Sequence, residues 1–121
     1  MTDFPFVSII MPVRNEGAFM KESLQSVLMQ DYPENRMEIL VADGMSRDGT
    51  RETIQTLQKQ HSNLRLVNNP KRIVSTGLNR AFEEAQGKII VRVDGHCEIA
   101  PFFVLSLLVS AMSPFFLWRH S

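Results

Sequence analysis

The sequence has a single cysteine, Cys97, among 121 residues. One thiol can close no internal disulfide, so the fold is not stapled for an oxidising compartment and a cytoplasmic setting is expected. Neither charge is in excess: Lys plus Arg and Asp plus Glu both number 13. A nucleic-acid-binding domain normally carries a basic surplus against phosphates, so no nucleic-acid partner is expected. Residues 1–6 hold no basic stretch followed by an apolar run, which argues against a secretory leader at this start. Internal repeats and low-complexity stretches are absent. No Gly-x-Gly-x-x-Gly follows the first apolar run, so the dinucleotide fingerprint is missing, and no Gly-Lys-Ser/Thr marks a P-loop.

What is present is enough apolar material for one small domain: 44% of the residues are hydrophobic. Four short runs, Phe6–Met11, Glu38–Ala42, Leu64–Val67 and Lys88–Val93, are nearly continuous in Val, Ile and Leu. That pattern predicts strands covered on both faces, as in a parallel sheet. Three helical patterns lie between them. Met20, Leu24, Val27 and Leu28 share one face, and Asp31-Tyr32-Pro33 ends that helix. A second helix follows Asp48 or Thr50, with Ile54, Leu57 and His61 as its core face. In the third, Leu78, Ala81, Phe82 and Ala85 recur at helical spacing, with Gly87 as its closing glycine. The order β-α-β-α-β-α-β predicts an α/β fold: a mostly parallel sheet flanked by helices, with right-handed crossovers.

In such sheets ligands sit beyond the carboxyl ends of the strands, so the residues that follow each strand carry the chemistry. The first run gives way to Pro12-Val13-Arg14-Asn15-Glu16, either a row of hydrogen-bonding groups at the sheet edge or a plain loop capped by Asn15. The second ends in Asp43-Gly44-Met45-Ser46-Arg47-Asp48-Gly49-Thr50. There a carboxylate can accept hydrogen bonds from a nucleoside, or Asp43 and Asp48 can simply close a turn. Lys71 and Arg72 follow the third run and suit a diphosphate, or belong to a solvated loop. The fourth ends in Asp94-Gly95-His96-Cys97-Glu98, where Asp94 and His96 can hold a divalent ion against a diphosphate. Cys97 reads as a small core residue, because no second cysteine exists to complete a thiolate site.

Together these segments resemble the family 2 glycosyltransferases of GT-A fold, the Rossmann-like nucleotide-diphospho-sugar transferases. Val7 to Glu16 looks like the family's opening strand and loop, and Asp43 to Thr50 like its second motif, Asp-Asp/Gly-x-Ser-x-Asp-Gly-Thr. Asp94-Gly95-His96-Cys97 stands where the family carries Asp-x-Asp, and its form is similar to the succinoglycan-biosynthesis glucosyltransferase branch. The resemblance covers about residues 6–101. It implies binding of a nucleoside-diphosphate sugar, with a UDP-sugar favoured, for inverting transfer to a glycan or lipid-linked acceptor in polysaccharide synthesis. By the same resemblance Pro12, Arg14 and Glu16 line the nucleoside pocket, Asp43 reads the base, and Arg72 lies beside the nucleotide. Asp94 sits near ribose and metal, and His96 takes the place of the usual second acid. A neutral nitrogen ligand in that place suits Mn²⁺ better than Mg²⁺, so either ion is expected with Mn²⁺ favoured, and metal-free diphosphate binding stands as the alternative.

Inverting transfer also needs a base to deprotonate the acceptor hydroxyl. In the family that acid lies well downstream of Asp-x-Asp, and this sequence runs only 25 residues past His96. No residue is assigned as the base. Residues 1–101 therefore read as the nucleotide-sugar-binding half of a truncated GT-A domain, and 102–121 as an apolar tail. The tail fits a core helix up to Ser113, a truncated or frame-shifted end, or a membrane-associated segment peripheral to the cytoplasmic face. Two alternatives stand beside the transferase: a catalytically incomplete nucleotide-sugar-binding fragment or pseudoenzyme, and a nucleotidyltransferase or other nucleotide-binding α/β domain.

Overall fold

A computed structural model describes residues 4–112. The elements run β1 (Val7–Val13), α1 (Met20–Leu28), a 3-10 turn (Glu34–Arg36), β2 (Met37–Asp43), α2 (Thr50–Gln58), β3 (Leu64–Asn68), α3 (Val74–Glu84), β4 (Ile89–Arg92) and α4 (Phe103–Met112). All four strands are parallel, in the order β3-β2-β1-β4. The expected α/β layering with a parallel sheet is what forms.

Both central strands are sealed on both faces, which is why their sequences are nearly continuous in apolar residues. Every residue of β2 is buried, and β1 is buried but for Pro12. One face carries the larger core, where Ile9, Met11, Ile39 and Val41 meet Met20, Leu24 and Val27 of α1, Ile54 of α2, and Val104 and Leu108 of α4. The other face meets α3 through a smaller cluster of Ile10, Leu40, Ala42, Val67 and Ala81. Each fully buried Leu or Ile here contributes about 1.5–3 kcal/mol, so truncating Ile39 to Ala is the kind of single change that costs about 2–5 kcal/mol.

Several local expectations are revised. β1 does not stop at Met11 but continues through Pro12 and Val13, which pair with Ala42 and Asp43. Pro12 instead closes the other side of the strand: pairing with β4 ends at Ile10↔Arg92, and proline has no N–H to extend it. α3 buries Gly77 and Ala81, with Leu78 and Ala85 packed beside them, but Phe82 points outward and is 60% exposed. Helical periodicity gave Phe82 the right angle for a wide stripe, and the face that α3 buries is narrower. Gly87 does not cap α3, which gives way to extended backbone at Ala85. It is required by close approach, since a Cβ there would lie 2.5 Å from the Ser8 amide nitrogen. His61 falls beyond α2, which ends at Gln58.

The segment leaving β4 is sewn to α1 by side chains. Ser23 Oγ donates to the Cys97 carbonyl at 2.5 Å, and Ser26 Oγ accepts the Ile99 N–H at 3.1 Å. Gln30 donates to the Ala100 carbonyl at 2.7 Å and accepts the Val104 N–H at 2.9 Å. Cys97 is a half-buried free thiol packed against the larger core. The expectations for the end of the tail fall partly on residues 113–121, which lie outside the described residues. Among the described residues no helix is long and apolar enough to cross a membrane.

Candidate functional site

The strand order reverses direction between β1 and β4, so a crevice opens beyond their carboxyl ends. Pro12 widens it by ending the β1–β4 ladder at Ile10. The loops after all four strands reach this edge of the sheet, and every residue singled out for nucleotide or metal binding lies on it or at the end of a strand.

The loop after β1 is clasped by the loop after β2. Three successive backbone N–H groups, of Asn15, Glu16 and Gly17, donate to Ser46 Oγ at 2.8 Å, Thr50 Oγ1 at 3.0 Å and Asp48 Oδ2 at 3.0 Å. Asn15 Oδ1 returns a contact by accepting the Arg47 N–H at 2.9 Å. Asn15 is thus no helix cap: α1 starts at Met20, and its first-turn N–H groups use the Glu16 carbonyl. Asp48 also accepts the Thr50 hydroxyl at 2.5 Å. The Thr50 hydroxyl, helped by the Gly17 N–H, holds the Asp48 carboxyl below its ordinary range.

Backbone strain gathers here. The non-glycine residues with positive φ among those described are Asn15 (51°), Met45 (62°) and Arg72 (69°), one in each of the loops after β1, β2 and β3. Such conformations cost of order 1 kcal/mol or more and concentrate where a loop must present groups to a ligand. Gly44 is where the loops cross: a Cβ on it would lie 3.0 Å from the Arg72 carbonyl oxygen and 3.3 Å from Arg14 Cδ. Arg14 and Arg72, far apart in sequence, are therefore neighbours. Both are exposed, as are Arg47 and Lys71, and none of the four forms an ion pair among the described residues.

Asp43 occupies a different environment. Its side chain is 0% exposed. Oδ2 accepts the Ser46 N–H at 3.1 Å and Arg51 at 2.8 Å, and Oδ1 is bonded by the Ser46 hydroxyl. Arg51 continues to Asn68 Oδ1 at 2.9 Å, joining the tips of β2 and β3. Arg51 was not singled out from the sequence. Its signal was faint: an arginine eight positions past a strand-end aspartate, one residue into the following helix.

Across the crevice, His96 Nδ1 lies 3.7 Å from Glu16 Oε2, with His96 60% exposed. Asp94 is half-exposed and paired with Arg92 at 3.1 Å. The described residues contain no cluster of three or more His, Cys, Asp or Glu side chains able to hold a metal. A concavity of about 560 Å³ lies at the opposite, amino end of the strands, between Phe6, Glu38, Asn63 and Arg65. It is remote from these loops, and Glu38, the buried one of its two carboxylates, is already engaged by neighbours.

Comparison with known proteins identifies the family. Residues 8–114 match the family model described as glycosyl transferase family 2. The chain is 36% identical over 93 residues to the Methanococcus voltae dolichyl N-acetyl-alpha-D-glucosaminyl phosphate 3-beta-D-2,3-diacetamido-2,3-dideoxy-beta-D-glucuronosyltransferase, covering 75% of this chain and 29% of that protein. It is 33% identical over 90 residues to the succinoglycan biosynthesis protein ExoA of Rhizobium meliloti, covering 73% of this chain and 27% of the relative. Among solved structures it superimposes with a TM-score of 0.85 on the mannosyltransferase PcManGT of Pyrobaculum calidifontis, in complex with GDP-Man and Mn²⁺. That match has 30% identity and covers 93% of this chain and 34% of the other. The chain thus spans about a third or less of the length of these relatives.

Proposed function

The chain belongs to glycosyl transferase family 2, and on that premise we propose that its carboxyl-edge loops bind a nucleoside-diphosphate sugar for glycosyl transfer. The observation that carries this reading is the proximity of Arg14 and Arg72 across Gly44, with Arg47 and Lys71 also exposed on the loops of this edge and none of the four in an ion pair among the described residues. Four cations held without partners next to strained backbone suit an anionic ligand, and guanidinium groups match diphosphate oxygens bidentately. Arg14 and Arg72, flanking Gly44, take the diphosphate. Pro12 and Glu16 form the wall toward β4. Asp43 acts through the groups it holds, Ser46 and Arg51, rather than through a free carboxylate.

Asp94 and His96 would hold a divalent ion, Mn²⁺ in preference to Mg²⁺, as PcManGT holds Mn²⁺. Two protein donors fit such an ion when the diphosphate supplies the remaining oxygens. When bound, the ion offsets charge developing on the departing nucleoside diphosphate. Arg92 must release Asp94 for this to happen, and Glu16 lies 3.7 Å from the His96 ring at the same place. The donor is a UDP- or GDP-sugar. The acceptor is a glycan or a lipid-linked saccharide, presented at the cytoplasmic face of a membrane.

Calorimetric titration of the chain with UDP, GDP and their sugars, with and without Mn²⁺, followed by an assay of sugar release and transfer, tests the reading. Nucleotide binding strengthened by Mn²⁺, and less so in His96→Ala, is the expected result. Absence of binding under every condition would overturn it, and binding without transfer would select a donor-binding unit alone.

A further inference from the structure

We infer that Met45, Ile73 and Val74, flanked by Arg47 and Lys71, form a docking surface for the anionic face of a lipid bilayer. This goes beyond the donor-binding reading above, and it uses residues other than the Arg14 and Arg72 that take the diphosphate.

The loops after β2 and β3 cross at Gly44, where a Cβ would lie 3.0 Å from the Arg72 carbonyl oxygen. Each loop leaves apolar side chains in water beside that crossing. Met45 is 40% exposed, and Ile73 and Val74 are 57% and 53% exposed. Local structure calls for other residues at all three positions. Ile73 stands at the N-cap of α3, where Ser, Thr, Asn or Asp would accept a free N–H, and its side chain makes no such bond. Val74 opens the helix with a β-branched side chain, which loses rotamer freedom there. Met45 holds a left-handed φ of 62°, which glycine or asparagine adopts at less cost. Stability is spent at each position to keep an apolar group outside.

The charge beside them decides what covers them. Arg47 and Lys71 are exposed and form no ion pair among the described residues. The acids nearby are engaged: Asp43 is buried against Arg51, and Asp48 accepts the Gly17 N–H. α3 has no acid in its first turn. The rim is thus apolar at its crossing and cationic at its sides. That combination matches a bilayer interface, where acyl chains begin just beneath anionic head groups. The apolar groups exposed on α4, Leu107 and Val109, lack it, because no residue of that helix is charged.

The test is co-sedimentation of the chain with vesicles of phosphatidylcholine alone, and of phosphatidylcholine with phosphatidylglycerol in equal parts. Binding to the mixed vesicles should be about tenfold tighter than to the neutral ones and should weaken as salt is raised. Ile73→Ser combined with Val74→Ser should weaken binding to the mixed vesicles about tenfold or more. Serine suits the N-cap, so that variant should resist urea as well as the parent does. Lys71→Glu should weaken binding about fivefold or more on the mixed vesicles and leave the neutral ones unaffected. No binding of the parent to the mixed vesicles, or equal binding by the parent and both variants, would overturn the inference. So would gel filtration showing an oligomeric parent and a monomeric serine variant, since a second copy of the chain would then cover the surface. All these measurements are made without nucleotide. A chain that binds vesicles but neither UDP nor GDP would overturn the functional reading and leave this one standing.

Discussion

The two ends of the same strands carry opposite kinds of polar chemistry. At the amino end, Glu38 is buried and fully matched. It accepts Ser8 Oγ at 2.5 Å, the Gln86 N–H at 2.7 Å and Arg65 at 3.2 Å, while Ser8 Oγ in turn accepts the Gly87 N–H at 2.7 Å. That network ties the approach to β4 onto β1 and β2, and no non-glycine residue in it has a positive φ. At the carboxyl end the backbone is strained at Asn15, Met45 and Arg72, and four cations stand without ion-pair partners among the described residues. One end is built to be finished and the other to be completed by something else. Buried polar groups are stable only when matched, so unmatched groups belong where solvent or a ligand can reach them.

The contrast can be broken by mutation. The largest effect is expected at the finished end. Glu38→Ala strands the fully buried Ser8 hydroxyl and the Gln86 N–H and should cost about 2–3 kcal/mol in urea unfolding. The exposed Arg65 adds little, because solvent screens it. Nucleotide affinity of the folded protein should not change, and a loss of affinity would join the two ends functionally. At the open end, Arg14→Ala should weaken UDP or GDP binding about tenfold, with unfolding free energy within about 0.5 kcal/mol of the parent. Arg72→Gly should separate the two properties within one residue. Glycine relieves the left-handed backbone and should stabilise the fold by about 0.5–1 kcal/mol, while the loss of the guanidinium weakens nucleotide binding. A destabilised Arg72→Gly would show that this loop stores no strain.

The smallest effect concerns acid. The Asp48 carboxyl sits below its ordinary range, so the folded chain binds fewer protons there than the unfolded chain as pH falls through that interval. Its clasp on Gly17 and Thr50 is fully present above the ordinary carboxylate range and is lost as pH drops through the lowered value. An NMR pH titration should show the Gly17 amide moving with that low transition, and Asp48→Asn should abolish it. A Gly17 amide that titrates in the ordinary carboxylate range would contradict the clasp.

Much of this contrast was legible in the sequence, and what was not has physical causes. The strands could be read because burial on both faces leaves no room for polar alternation. The strand ends could be placed because the apolar runs stop there, while the alternative that Asp43 and Asp48 close a turn also holds, since they accept the Ser46 and Thr50 N–H groups. The end of β1 was obscured because Pro12 looks like a breaker, although its missing N–H falls on the side where pairing has already stopped. The role of Gly87 was hidden because the atom it must clear, on Ser8, is 79 positions away, as the hydrogen bond between them records. Arg51 was overlooked because its partners Asp43 and Asn68 meet it only once two strands and a helix are assembled. Phe82 was misplaced because periodicity gives a side chain's direction and says nothing about what covers it.

The stitching of α1 to the segment after β4 has a consequence for the order of events in folding. Ser23, Ser26 and Gln30 find their partners some 70 positions later, as the sequence separations of their hydrogen bonds show. On a ribosome, the helix that carries them emerges long before Cys97, Ala100 or Val104 does. Contacts of such long sequence separation form slowly, because the intervening chain must be closed first. α1 therefore waits for residues 97–104 to complete the bonding of its polar groups, although Ser26 and Gln30 also donate to carbonyls within the helix. Its final docking is timed by the completion of synthesis through α4 rather than by its own sequence.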